Sequence, residues 1–168
     1  VLPAHFRKMN FKQCKHDPCV YTGKVNSKLV LVAVYVDDMI LAAKEQATLN
    51  KTKDLFKKKF SVNDMGPLHH FLGVKVVQRN GKIWLGQQSY IEDVLKRFGL
   101  QDCNPISTPM ETTAKPVKAG INEKRCVKKD YQSLIGSLIY LTSATRPDIA
   151  FAVHKMAQYC SDPSMTHL

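Results

Sequence analysis

Acidic residues are scarce, 14 Asp plus Glu against 25 Lys plus Arg, and the formal charge of +11 points to a polyanionic partner, nucleic acid first. Long apolar runs are missing too. The longest, Leu29 to Val36, falls far short of the roughly 20 residues of a membrane-crossing helix, so no membrane partner is expected. The five cysteines are odd in number and irregularly spaced, and nothing at Val1 resembles a signal peptide. Disulfides and secretion are therefore not expected, and an intracellular setting, cytoplasmic or nuclear, is. Cys14, His16 and Cys19 offer three ligands at a spacing that matches no common zinc knuckle or finger. No internal repeat is evident. A length of 168 residues accommodates one domain or two small ones, and 44% hydrophobic content is enough for a core.

What is present centres on Tyr35, Val36, Asp37 and Asp38, two adjacent carboxylates at the only break in an apolar stretch from Leu29 to Ala43. An unpaired buried carboxylate costs several kcal/mol, so charge in such a context calls for a partner, a proton or a metal. The flanks are each long enough for one buried strand, which predicts a hairpin with Asp37 and Asp38 as its two-residue turn. Neighbouring side chains of a strand point to opposite faces, and only a turn lets both approach one ion. The plain alternative is a turn that uses Asp for local hydrogen bonding. The Tyr-x-Asp-Asp order within strand, turn and strand favours a Mg²⁺ site and phosphoryl transfer by a two-metal arrangement.

The rest of the chain predicts an α+β protein. The stretch to Cys19 reads as a helix tail and a turn at Asp17 and Pro18, and the chain is expected to be cut from something larger. Val20 to Thr22 is expected to pair with Leu29 to Val36 through Asn26 and Ser27. Glu45 to Phe60 reads as a helix with Leu49, Phe56 and Phe60 toward the sheet and its lysines outward. A second hairpin, Phe71 to Gln78 and Lys82 to Leu85, flanks Asn80 and Gly81. Ser89 and Glu92 form a capping-box pattern ahead of a stripe of Ile91, Val94, Leu95 and Phe98, closed by Gly99. Residues 103–129, with Pro105, Pro109 and Pro116, read as a long loop. Two helices follow, one with Tyr131, Leu134, Ile135, Leu138 and Leu141, the next with Ile149, Ala152, Val153 and Met156. Basic residues cluster at Lys51, Lys53, Lys57, Lys58 and Lys59 and at Lys124, Arg125, Lys128 and Lys129.

Tyr35 to Asp38, the basic helix after them, and Phe71, Leu72, Gly73 and Val74 together resemble the reverse transcriptases of copia-type LTR retrotransposons. Similar to that family as well are Asp17 to Cys19, Leu95 to Gly99 followed by Cys103, Pro105 and Ser107 to Met110, Gly136 to Leu141, and Thr145 to Ile149. The resemblance covers nearly the whole chain. It implies a fragment of the Pol polyprotein with a partial polymerase palm over residues 1–88 and a helical thumb over 89–168. Asp37 and Asp38 would be catalytic and metal-binding, with Tyr35 and Val36 near the primer end and the incoming nucleotide. Phe71, Leu72, Gly73 and Val74 would match the primer grip, and Lys57, Lys58, Lys59, Lys96 and Arg97 would meet nucleic-acid backbone. The implied partners are an RNA or DNA template-primer duplex and a deoxynucleoside triphosphate. The family's further metal-binding Asp and its fingers are expected ahead of Val1, and ribonuclease H beyond Leu168, so this chain alone is expected to be inactive. A non-catalytic basic nucleic-acid-binding module and a degenerate structural remnant are the competing expectations.

Overall fold

The computed structural model describes residues 2–111 and 113–168. Val30 and Val32 are fully buried, whereas Leu29 and Leu31 between and beside them are exposed. The apolar stretch therefore lies in a sheet that is covered on one face, and not in a strand buried on both. Four strands, β1 (Phe11–Gln13), β2 (Val20–Val25), β3 (Lys28–Tyr35) and β4 (Asp38–Ala43), pair antiparallel in that order. Helix α1 (Leu2–Lys8) precedes them and α2 (Gln46–Lys57) follows. These elements form the first of two compact units, Val1–Leu68 and His69–Leu168.

The covered face follows from register. Tyr21 is the partner of Val32, Gly23 of Val30 and of Phe11, and Val32 of Leu41, so their side chains share one side. Phe6 of α1 and Phe56 of α2 complete a core with Phe11, Tyr21, Val25, Val30 and Val32. Phe6 stacks on Tyr21 at 4.3 Å and meets Phe56 edge-on at 5.4 Å. Burial of each large apolar side chain contributes roughly 1.5–3 kcal/mol. Gly23 is required by this packing, because a Cβ there would lie 2.6 Å from the Phe11 ring. On α2 the deeply buried positions are Thr48, Thr52 and Phe56, with Leu49 half-buried; the helix ends at Lys57, short of the expected Phe60, which is half-buried just beyond it. Thr52 is buried without penalty, since its hydroxyl donates to the Thr48 carbonyl at 2.7 Å. The short strand β1 has no counterpart in the sequence expectation.

The second unit holds a three-stranded antiparallel sheet, β5 (His70–Phe71), β6 (Val74–Arg79) and β7 (Lys82–Gly86), with helices α3 (Gln88–Arg97), α4 (Lys128–Ala144) and α5 (Ala150–Ala157). The expected first strand of this hairpin is broken by a turn at Leu72 and Gly73, both at positive φ. The capping box at Ser89 does not form. Gln87 takes the N-cap position instead, buried and accepting the Thr145 hydroxyl at 2.8 Å, and Gln88 donates to Glu92 at 3.0 Å. The other end of α3 matches its signal, with Gly99 at φ +70, its N–H on the Lys96 carbonyl and the Leu100 N–H on the Leu95 carbonyl at 2.8 Å.

Tyr131, Ile135 and Tyr159 form the core between α4 and the segment after α5. Burial pushes the Tyr131 hydroxyl up to about 12, and it donates to the Met156 carbonyl at 2.9 Å. The described residues between Phe98 and Val127 form no helix or strand, as the Pro-rich composition predicts, but the end of this loop is clasped. The Arg125 guanidinium donates to both oxygens of Asp162, at 2.7 and 3.0 Å, and to the carbonyls of Gly120 and Glu123. The hydroxyls of Ser164 and Thr166 and the Gly120 N–H hold the Glu123 carboxyl down at about 2.

Candidate functional site

The β3–β4 hairpin closes on Tyr35 and Asp38, which are cross-strand partners. Its two-residue turn is thus Val36 and Asp37, one residue earlier than the expected Asp37 and Asp38. Val36 sits at φ +51, a left-handed conformation that a β-branched residue enters at a cost of roughly 1–3 kcal/mol. Asp38 opens β4, on the face of Tyr35 and of Ile40, two residues on. This is the face that α1 and α2 leave open, where Leu29 and Leu31 also stand exposed.

Both carboxylates are exposed, and neither makes a hydrogen bond or ion pair among the described residues. The apolar surroundings do not bury this charge, so nothing compels it to find a partner, contrary to expectation. The charge stands in water at a hairpin tip, because alternation exposes one face of the stretch. The two groups together present acceptor oxygens only and face no competing cation. That donor set fits a hard divalent cation completed by phosphate and water oxygens. Among the described residues no group of three or more His, Cys, Asp or Glu can hold a metal ion. Asp64 is not available to the pair, because its carboxylate accepts from Lys53 at 3.0 Å and from the Gly66 N–H at 3.0 Å, with Lys57 at 3.5 Å; these contacts hold its pKa below the ordinary value. Asp17 accepts the Cys19 N–H at 2.8 Å within a turn.

The basic clusters divide. Lys53 and Lys57 are paired to Asp64, and Arg125 is consumed in its clasp. Lys58 and Lys59 at the end of α2 and Lys96 and Arg97 in the last turn of α3 are exposed and form no ion pair among the described residues. Phe71 and Val74 pair across the Leu72–Gly73 turn, and the Tyr140 hydroxyl donates to the Leu72 carbonyl. Tyr140 in turn meets Tyr90 edge-on at 4.9 Å. Nothing in sequence order singles out Tyr140, which reaches this turn from α4.

Residues 1–112 match the family model described as reverse transcriptase (RNA-dependent DNA polymerase). The chain is 36% identical, over 98% of its length, to the retrovirus-related Pol polyprotein from transposon TNT 1-94 of Nicotiana tabacum. It is 31% identical, over 95% of its length, to the Pol polyprotein from transposon RE1 of Arabidopsis thaliana. An uncharacterized mitochondrial protein of Arabidopsis thaliana is 35% identical over 79% of the chain. The chain spans 13% and 11% of the two polyproteins and 54% of the mitochondrial protein. No solved structure matches it.

Proposed function

Because this chain belongs to the reverse transcriptase family, we propose that it is the portion of a retrotransposon RNA-directed DNA polymerase that supplies the acidic hairpin of the active site. In this reading residues 1–88 are palm and residues 89–168 thumb, labels that cut across the second compact unit. The observation that carries it is the exposed, unpaired pair Asp37 and Asp38, with Tyr35 on the same open sheet face as Asp38.

Asp37 and Asp38 would hold Mg²⁺, and the ion would lower the cost of the negative charge that develops on the reacting oxygens of primer and nucleotide. The chain's own residues position the substrates. Tyr35 and Val36 line the approach of the primer end and the nucleotide, and Phe71, Leu72, Gly73 and Val74 form a fixed turn against the primer, held by Tyr140. Lys58, Lys59, Lys96 and Arg97 meet the template-primer backbone, a contact independent of sequence and sensitive to salt, whereas Lys57, offered by the sequence for the same role, is held by Asp64. Two carboxylates are part of a polymerase metal site, so the chain by itself extends no primer.

Primer extension on an RNA template with Mg²⁺ tests this. A polyprotein that contains the segment extends the primer, and Asp37→Asn or Asp38→Asn lowers the rate by at least about a thousandfold, the loss expected when about 4 kcal/mol of transition-state stabilisation is removed. Unchanged extension by either variant, or robust extension by the 168-residue chain alone, overturns the assignment. A non-catalytic nucleic-acid-binding module is the second reading, favoured by the net charge of +11. In that case no polyprotein-length protein extends a primer, while binding persists in both variants.

A further inference from the structure

Strand register assembles on the second sheet a surface that no run of residues in the sequence displays. His70 is the partner of Lys75, Lys75 of Gly86, Val77 of Trp84, and Arg79 of Lys82. Cross-strand partners share a face, as do alternate residues of one strand. One face of β5, β6 and β7 thus carries Lys75, Arg79 and Lys82, with His70, around Val77 and the chain's only tryptophan, Trp84. All are exposed, and the indole is 48% exposed.

The charge on this face is unopposed. No acidic residue occurs between Asp64 and Glu92. Among the described residues the three cations make no ion pair, in contrast to Lys53, Lys57, Arg125 and Arg146, which all do. An exposed indole offers a planar surface to an unpaired base, and flanking Lys and Arg side chains reach phosphates on either side. Lys75 and Arg79 stand about 13 Å apart along β6 at the usual rise per residue, enough to follow a short stretch of nucleic-acid backbone. An acidic peptide would satisfy the cations and leave the indole without a planar partner. A blunt duplex keeps its bases stacked on each other.

We propose that this face binds single-stranded nucleic acid, with an unpaired base stacked on Trp84 and the neighbouring phosphates held by Lys75, Arg79 and Lys82. The surface rests on the nucleic-acid part of the function proposed above, and none of its residues belongs to the acidic hairpin or to the Phe71–Val74 turn.

Since Trp84 is the only tryptophan, emission excited at the red edge of the spectrum, where the six tyrosines do not absorb, reports this face alone. Titration with an oligo(dT) of about a dozen nucleotides quenches the emission saturably, and the affinity falls steeply as salt is raised. An oligo(U) of equal length, run in parallel, distinguishes RNA from DNA as the source of the strand, and quenching by either supports the surface. By anisotropy of a labelled oligonucleotide, Trp84→Ala weakens binding about tenfold or more, whereas Trp84→Phe, which keeps a ring, retains most of it. The solvent-facing double variant Arg79→Gln, Lys82→Gln guards against misfolding of the tryptophan variants. It weakens binding and flattens the salt dependence with the unliganded emission maximum unchanged. Asp37→Asn leaves this binding intact, so loss of primer extension alone does not touch the proposal. Absence of quenching by both oligonucleotides at low salt overturns it. So do equal quenching by polyglutamate or by a blunt duplex, and an emission shift that follows protein concentration alone and marks a second copy as the occupant.

Discussion

The β3–β4 hairpin and the β6–β7 hairpin share antiparallel pairing and a two-residue turn, but they differ in how the turn is made and what the strands rest on. The first turns on Val36 at φ +51 and Asp37, the second on Asn80 at φ +52 and Gly81 at φ +69. Asn and Gly enter the left-handed region readily, and a valine does not. The first hairpin has an aromatic core of Phe6, Phe11, Tyr21 and Phe56 beneath one face. In the second, Ile83, Trp84 and Leu85 are all exposed, so neither face of β7 is packed away. A strained turn persists where surrounding packing over-determines it, and an open hairpin relies on turn residues that cost little. The strained tip is also the one that carries the carboxylates.

The comparison is broken most forcefully at the cores. Phe6→Ala should lower the stability of the first unit by about 3–5 kcal/mol in urea unfolding, and Trp84→Ala should change the second by less than about 1 kcal/mol. Similar losses at both sites would mean that the Trp84 face is packed after all. The turns come next. Gly81→Ala should cost about 1 kcal/mol, and Val36→Gly should add about 1 kcal/mol by relieving the left-handed valine. A destabilising Val36→Gly would show that the tip holds no strain. Smaller still is the effect of the charge: Asp38→Asn should leave the unfolding midpoint in place, because the carboxylate is exposed. A clear gain in stability there would revive the buried-charge reading.

Acid loosens a particular contact of the second unit. Glu123 ordinarily titrates at 4.5 and is held at about 2 in the folded second unit. A depressed carboxylate contributes stability that is present above its unfolded value and lost as pH falls through the folded one. The clasp around Glu123 and Thr166 should therefore loosen between about pH 4.5 and pH 2. Carbon-13 shifts of the Glu123 carboxyl, followed with the Thr166 resonances, check this, and Glu123→Gln should abolish the dependence.

Much of the fold was legible because its signals are local. Asn26 with Ser27 and Asn80 with Gly81 mark turns by their own backbone preferences, and Gly99 marks a helix end for the same reason. Where a boundary depends on a distant side chain, local signals misled. Ser89 and Glu92 look like a capping box, yet Gln87 is drawn in by Thr145 and starts α3 earlier. Apolar composition from Leu29 to Ala43 suggested a buried strand on each side of the turn, whereas α1 and α2 cover only one face of those strands. Thr48 and Thr52 were invisible as core residues, because a threonine is buried only where its hydroxyl finds a carbonyl, as Thr52 does.

The candidate site divides along the same line. Tyr35, Val36, Asp37 and Asp38 are covalent neighbours, and a hairpin gathers them whatever else the chain does. Their identity, and with it the family, was determined by the sequence alone. Which charges stand free was decided only by tertiary structure, since ion pairs form between residues far apart in the chain. Arg125 is taken by Asp162 and Lys53 by Asp64, and both lie in clusters that sequence order offered as contact surfaces. Lys75, Arg79, Lys82 and Trp84 are scattered in sequence, and strand register sets them on one face because side chains alternate with a period of two.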